Sequence, residues 1–327
     1  FWTALIYNLA PFYFFSGGLF VVPDGPLNLG ITLVALLIVK LHKYPFRNDN
    51  FLLLLLGLSL AWCFACKYQG YLIGVGCLLV LFFSPRRSLF VKNHYFYICI
   101  LISIIGALPS LIWNFENGWI SFQFHQSRQD FEVNLINLVI TLFALMLYLL
   151  PQTVIIPFQG IYKSIKKEKS IHEVNLILIA LPNLVVFLVV FATSDRSFPH
   201  WIIPGWLLLL PIIAKELSES LVRIKKTTYF GSAVSVWLIL GLLVIHSQTG
   251  IFTNNKDKIP KWDNTLELIS WEPLHIKIDK IIRSYSNYKE SKIAAFTWME
   301  AGQFSFLMKN KYQTLVLDSD PHHFKFM

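Results

Sequence analysis

Apolar runs of about twenty residues alternate with short polar breaks over the first 245 positions. That is the pattern of helices crossing the roughly 30 Å of hydrocarbon in a bilayer. The runs predict spans over about Phe1–Val22, Leu27–Leu41, Tyr95–Ile112, Leu135–Phe158, Val174–Ala192, His200–Ile213 and Tyr229–Ile245. Between them, the 33 residues from Phe51 to Phe83 are too long for one crossing, and Lys67, Tyr68, Gln69 and Gly70 interrupt them midway. Two short helices with a turn at Lys67 bring the count to nine crossings. Pro11 and the Gly17–Gly18 pair predict a kink in the first.

The longest break before the C-terminal tail is Trp113 to Phe131, WNFENGWISFQFHQSRQDF. It gathers Trp113, Asn114, Trp119, Phe122, Gln123, His125, Arg128 and Asp130, far more chemistry than a connector needs. Loops of such length in compact folds are usually functional or disordered, and the aromatic content argues against disorder. A short helix over about Trp119–Gln129, capped by Asn117, would lie at the membrane surface with Trp119, Phe122 and Gln126 on one face. An aromatic belt anchoring two helix ends is the plainer alternative, but it leaves His125, Arg128 and Asp130 without a role.

Composition agrees with the hydropathy pattern. Residues are 55% hydrophobic and 14% charged, against roughly 25% charged in average chains. A net charge of +9 would suit nucleic acid, but its distribution excludes that reading. Of the 17 Lys and Arg before residue 248, 14 fall in four short clusters: Lys40–Arg47, Arg86–Lys92, Lys163–Lys169 and Lys215–Lys226. Basic residues in alternate short loops mark the cytoplasmic side. Asp24, Lys67, the Trp113 loop, Asp195, Arg196 and His200 then share the outer side. Cys63, Cys66, Cys77 and Cys99 all lie within apolar runs, so the Cys63–Cys66 CxxC reads as buried small hydrophobes. No metal, cofactor or nucleotide-binding motif is expected.

Polarity changes after residue 247. Basic and acidic residues nearly balance there, 11 against 9. Helix is predicted over Asp279–Tyr285, strand over Lys292–Phe296, helix over Met299–Lys309 and strand over Thr314–Leu317. The domains are thus 1–247, a transmembrane bundle, and 248–327, a small extracytoplasmic α/β domain. The opening within a span and the two-strand tail predict a piece of a longer protein.

Charged groups near a bilayer are costly and need a reason. Lys67, between two short helices on the side where positive charge is disfavoured, could bind a lipid phosphate; it could also snorkel, or pair with Asp24. Asp24, in the Pro-Asp-Gly-Pro turn, serves the turn or lines an outer cavity. His200 at a helix start serves structure or the same cavity. Asp195 and Arg196 read as a solvated pair.

Several stretches resemble one family when taken together. PDGPLNLGITLVALL, CKYQGYL, LPSLIWNFENGWISFQFHQSR, PHWIIPGWLLLLP and IAAFTWMEAGQFSFLMKN follow one another as in bacterial glycosyltransferases of the protein O-mannosyltransferase type. That group includes the transferase that places aminoarabinose on lipid A. The resemblance covers nearly the whole chain, and Trp-Asn followed by Gly-Trp-x-Ser-Phe is its most specific piece. It implies a GT-C helical bundle in the inner (plasma) membrane. It also implies a polyprenyl-phosphate-linked sugar donor and a lipid, glycan or protein acceptor. The family's acidic loop lies upstream of Phe1, so its activating aspartate is expected outside this chain. By the same resemblance Asp24 orients acceptor or sugar, and Lys67 and Arg128 stabilise the leaving phosphate. Tyr68, Trp113, Asn114, Trp119, Phe122, Gln123, His125 and His200 then contribute to the substrate site. A transporter or lipid flippase without covalent chemistry is the rival reading, although no inverted repeat is visible. A scaffold protein would explain the tail but not the outer polar residues.

Overall fold

The structure, a computed structural model, describes residues 1–20, 22–43, 49–126, 132–156, 170–194, 197–218, 223–249, 251–252, 271–285 and 290–317. Two compact units emerge, Phe1–Trp237 and Leu238–Met327.

The first unit opens with a break where a single kinked span was expected. Helix α1 (Trp2–Leu9) ends because Ala10 is extended, at φ −73° and ψ 120°. Pro11 dictates this, since a residue before proline is steered away from the helical region. Helix α2 (Pro11–Phe14) runs into a π-turn at Phe15–Leu19. The break leaves the Leu9 carbonyl without a helical partner, and the Trp237 indole N–H donates to it at 2.9 Å.

Helices α3 (Asp24–Lys43), α4 (Asp49–Cys66), α5 (Gln69–Phe83), α6 (Arg87–Lys92) and α7 (His94–Glu116) follow. Leu27, Ile31, Val34, Ile38 and Leu41 recur at helical spacing and form the buried face of α3. Helices α4 and α7 meet through small residues. A Cβ on Gly57 would stand 2.9 Å from the Cys99 carbonyl, and one on Gly106 would run into the Ala61 backbone. Apolar helices in lipid gain little from hiding apolar surface, so close backbone packing of this kind is what holds them together.

The surface loop carries a shorter helix than expected, α8 (Ile120–Gln126). Asn117 does not cap it. Asn117 terminates α7 instead, its amide donating to the Trp113 carbonyl at 2.8 Å. Gly118 and Trp119 then turn the chain through left-handed backbone, with φ of 64° and 60°. Helix α9 (Leu135–Leu149) ends at Leu150, whose φ of 73° divides the expected Leu135–Phe158 span from a helical stretch, α10 (151–156).

Helix α11 (Ile171–Thr193) begins at a Ser170–Glu173 capping box. After a 3₁₀ turn at Pro199–Ile202 comes α12 (Ile203–Ser218), buried along most of its length from Ile203 to Leu210. Helix α13 (Arg223–Thr249) ends the series. Six helices among the described residues are long and apolar enough to cross a membrane, and α5 and α9 are shorter apolar helices. The outward faces of α7 and α9 expose Leu101, Ile105, Ile136, Val139 and Phe143, a surface suited to lipid. These are the features of a helical membrane protein.

In the second unit, α14 (Glu272–Arg283) precedes strand β1 (Lys292–Ala295), helix α15 (Trp298–Leu307) and strand β2 (Gln313–Val316). The strands pair in parallel, Ile293 opposite Thr314. A small core of Ile293, Phe304, Met308 and Tyr312 packs with Trp271, Ile278 and Ile282. Asp279 accepts hydrogen bonds from Lys311 and Tyr312, both at 2.8 Å, and from Arg283 at 2.7 Å. The Lys311 hydrogen bond, then that of Tyr312, holds its carboxyl down to about 2. A depressed carboxyl stabilises the fold above its unfolded value near 3.9 and loses that contribution as pH falls toward 2. Protection of the α14 amides, taken against the intrinsic exchange rate at each pH, is therefore expected to fall between about pH 4 and pH 2, and Asp279→Asn should flatten that dependence. An unchanged pH profile in Asp279→Asn would refute the assignment.

Candidate active site

Asp24 stands in the first turn of α3, where the positive end of the helix dipole favours a carboxylate. Gly25 beside it lets the turn approach the Ser16 carbonyl, since a Cβ there would come within 2.7 Å of that oxygen. Lys67 lies just past the C-terminus of α4, the end that favours a cation. The turn into α5 is tight, the Gly70 amide donating to the Lys67 carbonyl at 2.9 Å.

These two turns place an ion pair. Lys67 Nζ donates to Asp24 Oδ1 at 2.9 Å and Oδ2 at 3.1 Å. The side chains are 20% and 10% exposed respectively. Of the three roles open to Lys67 in the sequence, pairing with Asp24 is the one this geometry contains. A largely buried pair is favourable only while both partners remain.

His200, in the 3₁₀ turn before α12, is close enough to interact electrostatically with both Lys67 and Asp24. Its ring stacks on Phe12, with centroids 6.0 Å apart and planes 13° apart, and Phe12 also meets Tyr148. Sequence reasoning missed the groups beneath. Tyr7 and Tyr13 stack at 4.5 Å, and the Tyr7 hydroxyl lies beside the Asn28 amide, one helical turn along α3 from Asp24. The buried hydroxyls of Tyr13 and Ser16 find no hydrogen-bond partner among the described residues. The available signal was a run of polar side chains inside an apolar segment, with Asn28 four residues after Asp24. A single span over Phe1–Val22 disperses these groups around its surface, so hydropathy alone does not bring them together.

Tyr68, next in the chain to Lys67, joins the pair to the surface loop. Its hydroxyl accepts a hydrogen bond from Asn114 Nδ2 at 2.8 Å. Asn114 is 1% exposed and also donates to the Ser110 carbonyl, while its Oδ1 accepts from the Ser121 amide. One buried amide thus ties α7, α8 and the α4–α5 turn together, and a buried amide with every group matched resists displacement. The Tyr68 ring meets Phe122 at 5.9 Å, and Phe122 meets Trp119 at 5.6 Å. Trp113, Trp119 and Phe122 each remain 41–51% exposed. Gln123 turns back to the Gly118 carbonyl. The His125 side chain, Arg128, Asp130, Asp195 and Arg196 lie outside the described residues.

Among the described residues no group of three or more His, Cys, Asp or Glu could hold a metal ion. No curated protein and no solved structure matches the chain. Residues 1–113, which contain Asp24, Lys67, Tyr68 and Trp113, match the family model described as dolichyl-phosphate-mannose-protein mannosyltransferase, and this match supports a membrane glycosyltransferase of the GT-C type.

Proposed function

We propose that the protein transfers a sugar from a polyprenyl-phosphate carrier to a lipid, glycan or protein acceptor at the outer face of the plasma membrane. The observation that carries this reading is the Asp24–Lys67 pair, inside the segment that matches the mannosyltransferase family. In the reaction the bond from the anomeric carbon to phosphate oxygen breaks, and a bond from that carbon to the acceptor's oxygen or nitrogen forms. The acceptor's proton passes to a base, and the carrier phosphate leaves with the electron pair.

Lys67 has three N–H donors and spends two on Asp24, so a third can meet a phosphate oxygen. Such a donor stabilises charge where it develops on the leaving group. Asp24, with both oxygens engaged, is better suited to hold Lys67 and orient substrate than to act as the base. The Tyr13 and Ser16 hydroxyls and the Asn28 amide suit the hydroxyls of a sugar. Tyr68, Trp119 and Phe122, with Trp113 in the last turn of α7, form an apolar rim for the isoprenoid. Asn114 holds that rim in place, and His200 borders the pair.

Membranes carrying the full gene product, supplied with a radiolabelled polyprenyl-phosphate sugar, test this. Transfer is expected to fall about ten- to a hundredfold in Lys67→Met, corresponding to roughly 1–3 kcal/mol, and to survive in part in Lys67→Arg. Undiminished transfer in Lys67→Met removes the phosphate role. Movement of the intact donor across the bilayer, with no sugar–phosphate cleavage, would replace the transferase reading by a flippase.

A further inference from the structure

A cavity of about 310 Å³, apart from the Asp24–Lys67 pair, lies among α3, α4, α5 and α7, lined along its length by residues such as Leu60, Phe64, Leu78, Cys99 and Ile104. Its polar wall groups are already engaged. His42 donates from Nδ1 to the Ile38 carbonyl and shares a hydrogen bond with Ser84. Tyr71 shares one with Ser110, and Ser103 donates to the Cys99 carbonyl. The remaining polar atoms on the wall are thiols, which are weak partners. A sugar, nucleotide or peptide would find nothing there to satisfy its own polar groups, whereas a hydrocarbon chain needs nothing.

The shape fits such a chain. The lining runs from Leu53 to Phe64 along α4, about 16 Å at 1.5 Å per residue, which is roughly half of a bilayer's hydrocarbon. The slot opens sideways to lipid, because its wall residues Val75, Leu78 and Ile104 are 46–56% exposed on the bundle's outer surface.

The charge lies at one end. His42, Leu81 and Phe90 line the slot where α3 and α5 finish, and there Arg86 spends one N–H on the Leu41 carbonyl at 3.0 Å, out of the five that a guanidinium carries. Arg87 and Lys92 on the short α6 and Lys40 on α3 are exposed at the same end. Of the described residues, Asp49 at the start of α4 is a carboxylate at this end, and Glu173 at the start of the neighbouring α11 is paired with Lys215. Lys67 lies at the opposite end of α5, about 22 Å away along the helix axis.

We infer that this slot holds one acyl chain of an anionic membrane phospholipid, whose phosphate is received by Arg86 with Arg87 and Lys92 beside it. A neutral zwitterionic lipid offers the same tail without net negative charge, so the two should separate at the basic mouth.

The test uses the full gene product, delipidated in detergent and titrated with phosphatidylglycerol or phosphatidylcholine while bound lipid is counted by native mass spectrometry. Retention of phosphatidylglycerol is expected to exceed that of phosphatidylcholine about tenfold. Combined Arg86→Gln and Arg87→Gln should erase the difference, and Val75→Trp, which narrows the lateral opening, should lower retention of both lipids. Equal retention of the two lipids by the wild type would overturn the headgroup assignment. Retention by wild type of neither lipid would overturn the site as a whole. Where a variant loses its thermal transition, spin-labelled phosphatidylglycerol on the wild type decides: absence of a motionally restricted fraction displaceable by unlabelled phosphatidylglycerol also overturns it.

Discussion

Lys67→Met, with Asp24 left in place, is expected to destabilise the bundle by about 3–5 kcal/mol. The loss comes less from the attraction forfeited than from the carboxylate left behind. Asp24 is 10% exposed at its side chain, and both of its oxygens rest on the single Lys67 ammonium. Asp24→Asn strands the cation in the same way, although Lys67 is the more exposed partner and should suffer less. The double variant Asp24→Asn/Lys67→Met buries no unpaired charge, so its cost should fall short of the sum by up to about 3 kcal/mol. Unfolding in mixed micelles, followed by circular dichroism across the four proteins, measures that coupling. Additive losses would mean that the two groups do not depend on one another in the membrane. The activity assay reads something else, since a double variant can regain stability without regaining phosphate binding.

Gly106→Ala should show the second large effect, and its sign is the informative part. Alanine in place of a mid-helix glycine ordinarily stabilises by about 0.5–1 kcal/mol. At Gly106 the added carbon would collide with the Ala61 backbone, which has no rotamer to change. The α4–α7 crossing must open, at a cost of about 3 kcal/mol, the upper part of the range for overpacking. Gly231 in α13 is the control, because a Cβ there meets nothing within 4 Å. Gly231→Ala should be neutral or slightly stabilising in the same micelle titration. Equal responses at the two positions would show that α4 and α7 do not pack as described.

The two turns at Asp24 and Lys67 were legible because charge in an apolar chain has few places to go. Hydropathy alone located the Lys67 turn, and pairing with Asp24 was among the roles that placement allowed. Side-chain competition for backbone groups was not legible. Asn117 offered the capping chemistry of a helix start, yet its amide lay nearer the last carbonyls of α7 and closed that helix instead. Pro11 marks the weak point of the first segment, and the extended Ala10 before it makes that point a break rather than the expected kink. Tyr7, Tyr13 and Ser16 went unremarked for the same reason: one continuous helix would have dispersed them around its surface, whereas the π-turn and the extended residue fold them back toward α3. Local sequence marks where a helix is weak. Which of its side chains then converge depends on neighbours far along the chain.

The bond from Trp237 to the Leu9 carbonyl gives that dependence a timescale. Its partners are separated by 228 residues, and translation at about 5–20 residues per second would put roughly 10–45 s between the synthesis of one and the other. Through that interval the broken first segment carries a carbonyl that neither its own helix nor hydrocarbon can satisfy. The segment must wait near water, or borrow a partner from the insertion machinery, until α13 arrives. The segment around Leu9 is thus among the last of the described parts of the bundle to settle, and assembly of the Asp24 neighbourhood is coupled to the arrival of α13.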